Sequence, residues 1–149
     1  MIDENIAQIR AFNRYYTSVI GLLDKYLNSD FSLTEVRIMY ELYHYPQGMT
    51  ASGLIELLNL DKGYLSRILR SFEKKQLIEK RQDNKDKRSY YLQLSETGKT
   101  IFSELSNTSQ QKIVHLLSSL SDEQINELVG HMNGISSILK TSNLKKNEK

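Results

Sequence analysis

The chain has 149 residues, 39% hydrophobic and 26% charged, an ordinary globular composition long enough to bury a core without metal or disulfide support. It has no cysteine, which excludes disulfides, thiolate zinc sites and cysteine redox sensing, and no apolar run of about 18 residues, so no membrane span is expected. The net charge is only +2, yet residues 61–91 hold ten basic and five acidic side chains, so this segment carries +5 and the rest −3, a distribution that suits a local anion-binding surface.

Met1-Ile2-Asp3-Glu4-Asn5 has neither a basic nor an apolar leader region, so no secretory signal is expected and the cytoplasm is the expected compartment. His44, His115 and His131 form no i+3 or i+4 pair, and neither a metal site nor a cofactor is expected.

The spacing of Ile6, Ile9, Phe12, Tyr16, Ile20, Leu23 and Leu27 predicts one amphipathic helix over residues 3–28. Ser32 and Glu35 form an S-x-x-E capping box that opens a second helix. Its apolar stripe is expected at Val36, Met39, Tyr40 and Tyr43, and Pro46 should end it. Gln47-Gly48 reads as a turn. Thr50 caps a short third helix to about Leu58, and Asn59-Leu60 breaks the chain tightly. Asp61 caps a fourth helix to about Gln76 with Leu65, Ile68, Leu69 and Phe72 inward. Two short helices across a tight turn are a helix-turn-helix.

After Leu77 the period drops to about 2. Ile78 and Lys80 alternate with Glu79 and Arg81, and Tyr90, Leu92 and Leu94 alternate with Tyr91 and Gln93. Two antiparallel strands joined by the polar turn 82–89 are predicted, a basic hairpin that makes the helix-turn-helix a winged one. Ser95 caps a long fifth helix carrying Ile101, Phe102, Leu105, Ile113, Leu116, Leu117 and Leu120. Ser121 and Gln124 box a sixth, with Ile125, Leu128, Val129, Met132, Ile135 and Leu139. Residues 141–149 read as a frayed tail. The fold class is thus mainly α with a small β-hairpin wing. Residues 31–95 are the expected winged helix-turn-helix, and residues 1–30 and 96–140 the helical dimerisation region.

The outward positions of the fourth helix include Lys62, Gly63, Tyr64, Ser66, Arg67 and Arg70. The major groove admits an α-helix, and side chains near its N-terminus reach base edges. Tyr64 and Ser66 offer hydroxyls, and Arg67 can grip guanine or phosphate. Gly63 is a poor helix former, by about 1 kcal/mol against alanine, and a bare Cα permits close approach to DNA. In the turn, Lys85, Lys87 and Arg88 can reach a neighbouring minor groove. Asp83 and Asp86 can orient nearby arginines by charge-assisted hydrogen bonds. A solvated helix face and a plain charged turn are the competing readings.

Asp61-Lys62 through Leu77-Ile78, then Asp83-Asn84-Lys85-Asp86-Lys87-Arg88, then Leu94-Ser95-Glu96-Thr97-Gly98, together resemble the MarR family of winged-helix regulators. The order of elements over residues 6–140 agrees with it. The resemblance implies that Arg88 is the family's minor-groove arginine, that Asp86 orients it, that residues 62–70 face the major groove, and that the protein is a homodimer on double-stranded DNA. Ile6, Ile9, Leu128, Met132 and Ile135 are the apolar residues a dimer is expected to bury, and a two-fold dimer calls for a near-palindromic operator. The family often binds small aromatic or anionic effectors, which makes Arg14, Tyr15, Tyr40, Tyr43 and His44 candidate effector-lining groups; core packing is the competing role of the aromatics.

Residues 10–17 and Ser32-Leu33-Thr34-Glu35 also resemble a subgroup in which such a domain precedes an acetyltransferase. The chain stops at residue 149, so either a stand-alone relative or only a loose likeness to that subgroup is expected. There is no Gly-rich phosphate loop and no nucleophile–base pair, and no enzyme is expected. The other competing class is a winged-helix protein-interaction module that does not bind DNA.

Overall fold

The computed structural model describes residues 1–24 and 30–144, with side chains for 1–19 and 30–142. In chain order it has α1 (Ile2–Asp24), α2 (Leu33–His44), α3 (Ala51–Leu58), α4 (Lys62–Lys74), β1 (Ile78–Gln82), β2 (Tyr90–Leu94), α5 (Glu96–Leu117) and α6 (Asp122–Leu144). The mainly helical fold with one hairpin is the class expected. Ile20, Leu23 and Leu27 of the expected first-helix stripe lie outside the described side chains. Two bounds differ from expectation. The fifth helix stops at Leu117, where Ser118 and Leu120 turn back onto the carbonyls of His115 and Leu117. The sixth continues to Leu144, into the expected tail.

Polar caps set most helix starts. Ser32 Oγ accepts from Glu35 N–H while Glu35 Oε1 accepts from Ser32 N–H, both at 3.2 Å, a complete capping box. Thr50 accepts from Gly53 N–H at 3.0 Å and Asp61 from Tyr64 N–H at 2.9 Å. Ser121 and Gln124 close the second box.

Left-handed residues set two of the ends. Asn59 (φ 52°) follows α3, and Leu60 N–H reaches back to Ile55 O at 3.1 Å. Gln76 (φ 59°) follows α4, with Gln76 N–H to Glu73 O at 3.0 Å and Leu77 N–H to Phe72 O at 2.9 Å. That bond pair is a Schellman motif, and its usual apolar contact is supplied by buried Leu77 and Phe72. The chain reverses there and enters β1.

β1 and β2 pair antiparallel with Ile78 opposite Leu94 and Lys80 opposite Leu92. Met49 adds a one-residue bridge to Leu92, with N–H···O distances of 3.0 and 2.7 Å. Gly48 makes this approach possible: its φ is +93°, and a Cβ there would meet Leu92 O and Gln93 Cγ at 3.0 Å.

By contact the chain divides into two units, Met1–Gln110 and Gln111–Lys149. In the first, Ile38, Met39 and Leu42 of α2, Leu54 and Leu58 of α3, Leu65, Ile68, Leu69 and Phe72 of α4, Leu92 and Leu94 of β2, and Phe102 of α5 form one buried cluster. All four expected inward residues of α4 are in it. The expected stripe of α2 is corrected: Met39 is buried, but Ile38 and Leu42 are its companions, Val36 is only half-buried, and Tyr40 and Tyr43 are 49% and 42% exposed. Tyrosine tolerates such an edge position because its ring is apolar and its hydroxyl wants water. In the second unit, Leu128, Val129, Met132 and Ile135 of α6 are all exposed.

Candidate nucleic-acid interface

Burial of Leu65, Ile68, Leu69 and Phe72 fixes the rotation of α4 about its axis. The opposite face then carries Lys62, Gly63, Tyr64, Ser66, Arg67 and Arg70, every one exposed. Asp61 caps the helix at its exposed N-terminus, so the first turn that bears Tyr64 is held by a side chain as well as by the core. At Gly63 an added Cβ would meet only Asp61 Oδ2, at 3.2 Å. The backbone there needs no positive φ, and the fold itself makes little demand for glycine.

The wing turn is held by backbone bonds and by bonds between side chain and backbone. Asp83 N–H donates to Ser89 O at 2.9 Å and Ser89 N–H to Asp86 O at 3.0 Å. Asp83 Oδ1 accepts from Lys85 N–H at 3.1 Å, and Asp86 Oδ1 from Arg88 N–H at 3.0 Å. Gln82 Nε2 donates to Lys87 O at 2.7 Å. Asp86 therefore acts on the Arg88 backbone, where a guanidinium contact was expected. The short aspartate side chain reaches its own chain two residues on, a turn-forming habit of Asp. Among the described residues no ion pair holds the Arg88 side chain, and Lys85, Lys87 and Arg88 all face water.

Between α4 and the wing lies an open cleft of about 420 Å³. Ser66 and Arg70 line it from the helix, Arg88 from the wing, and Thr50–Ser52 from the start of α3. Two further lining residues, Glu73 and Lys80, were not singled out from the sequence. They form an ion pair at 2.6 Å across the α4–β1 reversal. Seven residues of separation through a turn gives no periodic signal that would have revealed it.

The candidate effector residues separate into two groups. Tyr40, Tyr43 and His44 cluster at the end of α2, with the Tyr40 and Tyr43 rings 4.1 and 5.4 Å from that of His44. His44 Nδ1 lies 2.8 Å from Tyr40 O; a carbonyl only accepts, so Nδ1 donates. Phe102 of α5, read from the sequence only as core, joins this cluster at 4.8 Å from Tyr43 and 6.2 Å from Tyr40. Arg14 and Tyr15 are exposed on α1, and no ring contact or hydrogen bond among the described residues ties them to the cluster. Among the described residues no group of His, Asp or Glu could hold a metal ion, and no helix is long and apolar enough to cross a membrane.

Residues 31–90 match the model of the MarR family. Over 119 residues, 80% of this chain and 76% of the relative, the sequence is 29% identical to the HTH-type transcriptional regulator MgrA of Staphylococcus aureus. The fold superposes on MepR, a transcription regulator of the S. aureus multidrug efflux pump MepA, with a TM-score of 0.73 at 21% identity, covering 87% of this chain and 96% of that one. A mutant of MarR from E. coli complexed with operator DNA gives 0.73 at 20% identity, covering 91% and 97%. At those identities the structures speak for the fold. The sequence relative is a transcriptional regulator.

Proposed function

Since the chain belongs to the MarR family of winged-helix transcriptional regulators, we propose that it binds a near-palindromic duplex operator as a homodimer, reading bases with α4 and gripping the flanking minor groove with the wing. The observation that carries this is the two-faced α4. Its inner face is locked into the core, and its outer face presents hydroxyls and cations beside a wing arginine that no ion pair among the described residues holds. Residues 31–95 bind DNA in this reading, and the helices on either side carry the dimer contact. The site of action is the cytoplasm.

The homodimer is supported by apolar side chains left in water. Ile6 and Ile9 on α1, and Leu128, Met132 and Ile135 on α6, are each more than a third exposed in the single chain. Patches of that kind mark association surfaces. The two-fold axis sets two α4 helices in successive major grooves, about 10 bp apart or a multiple of it.

Base reading and backbone grip separate by mutation. Tyr64→Ala or Ser66→Ala relaxes base preference, by about 1–3 kcal/mol per lost base contact. Arg88→Ala weakens binding while the preferred bases under α4 stay the same. It also lowers the slope of log affinity against log salt by nearly one unit per lost contact. Salt titrations of each variant on operator and scrambled duplex measure both effects. An unchanged affinity and slope for Arg88→Ala would make it a solvated turn residue and sink the role given to the wing.

Release by a small aromatic or anionic effector is the finer part of this reading. The exposed Tyr40, Tyr43 and His44 grouped around buried Phe102 favour it, since exposed aromatic rings suit an aromatic ligand. Titration with aromatic carboxylates that leaves DNA affinity untouched removes that step.

A further inference from the structure

Glu73 is the one carboxylate among the described residues lining the cleft between α4 and the wing, where Arg70, Lys80 and Arg88 supply three cations. Its Oε1 meets Lys80 Nζ at 2.6 Å, and the same ammonium lies 5.9 Å from the centre of the Tyr90 ring. Backbone structure positions both partners. Glu73 stands in the last turn of α4, its carbonyl tied into the Gln76 reversal, and Lys80 is held opposite Leu92 in the hairpin. Both side chains remain more than 40% exposed, so the pair adds little to folding. Its consequence falls on whatever anion enters the cleft, which has a net charge of +2 and room for a phosphodiester.

We propose that Lys80 is a DNA-backbone contact and that Glu73 is its positioning counter-charge, so that a phosphate entering the cleft competes with Glu73 for the lysine. The inference rests on the DNA-binding reading above and adds a regulatory element to it. Glu73 holds Lys80 extended over Tyr90 in the free protein, and a phosphate gains the lysine only by displacing that carboxylate. That competition weakens the grip that is common to all sequences and leaves the base contacts of α4 untouched. Specificity is a difference of affinities, so this shared term sets how tightly operator and other DNA are held and leaves the ratio between them unchanged.

The test is a salt titration of the full-length protein on operator and scrambled duplexes, for wild type, Lys80→Ala, Lys80→Arg, Glu73→Gln and the double variant Glu73→Gln/Lys80→Ala. Lys80→Ala should weaken both duplexes alike and lower the salt slope by about two units per dimer, nearly one for each lost contact. Lys80→Arg should restore the slope. Glu73→Gln should tighten scrambled DNA about threefold to tenfold, the scale of an exposed ion pair in each of two protomers, and steepen the slope. The double variant should match Lys80→Ala, because Glu73 acts through the lysine.

A wild type that binds while Lys80→Ala keeps its slope overturns the inference alone. So does a Glu73→Gln gain that persists without Lys80, which would be general repulsion. A wild type that binds no duplex overturns the DNA-binding reading along with it. Inorganic phosphate at fixed ionic strength should compete with DNA equally in wild type and Lys80→Ala. Selective competition in wild type would make a free anion the occupant and overturn the assignment to DNA.

Discussion

The stretch from α2 to β2 and the helices α1 and α6 treat their apolar residues in opposite ways. Between Ile38 and Leu94 the inner faces of three helices and the hairpin close on one another, with Ile38, Met39, Leu54 and Phe72 wholly out of water. Among the described residues α1 and α6 bury none, although each repeats apolar side chains at helical spacing. The first region, with Phe102 of α5, closes a core that holds α4 in place. The other helices leave a patterned apolar face in water, which the proposed dimer would cover. In the proposed reading, folding stability and DNA geometry reside in one part of the molecule, and association in another.

The sharpest way to break this comparison is to put charge on α6. Leu128→Glu combined with Met132→Glu should weaken the dimer at least about a hundredfold, close to 3 kcal/mol, because two carboxylates would have to be buried unpaired. Light scattering should then give a monomer mass, and operator affinity should collapse, while the winged region stays folded. An unchanged dimer would mean that the exposed face of α6 is ordinary surface.

A smaller effect is expected inside the winged region. Gly98 lies in the first turn of α5, where its N–H donates to Ser95 Oγ at 3.0 Å, and a Cβ there would collide with the Leu77 carbonyl and press on Leu94. Gly98→Ala should cost about 1–3 kcal/mol by overpacking, read by chemical denaturation. A neutral result would show that α5 can shift off the hairpin without loss.

The smallest effect on the fold is the most telling for the interface. Gly63→Ala should leave stability unchanged or raise it by up to about 1 kcal/mol, the helix-propensity gain, offset by the close Asp61 carboxylate. Its DNA affinity should nevertheless fall, because the added methyl stands off the groove. Retained affinity together with the stability gain would leave Gly63 without a functional role.

How far these regions could be read from the sequence follows the same division. The inner face of α4 was readable residue by residue, because one helix with a single buried stripe has an unambiguous period. The caps of α2, α3 and α4 were readable because Ser32, Thr50 and Asp61 act on backbone only three residues away. α2 misled because Tyr40 and Tyr43 imitate a stripe that Ile38 and Leu42 in fact supply, a rotation of the helix that tertiary packing decides. The Met49–Leu92 bridge has no period to detect, being one residue long. The Glu73–Lys80 pair depends on the left-handed Gln76, a conformation that side-chain chemistry does not announce as glycine would. At the wing the residues were foreseen but not the bond. Asp86 was expected to face a guanidinium and instead shapes the turn that presents Arg88.

The central claim is that a symmetric dimer presents two α4–wing surfaces to duplex DNA and reads sequence with them. Selection of bound duplexes from a random DNA pool by the wild-type protein tests it most directly. The account predicts enrichment of a near-palindrome whose half-site centres lie about 10 bp apart or a multiple of it. A pool that stays random, or that converges on a single asymmetric half-site, would contradict it.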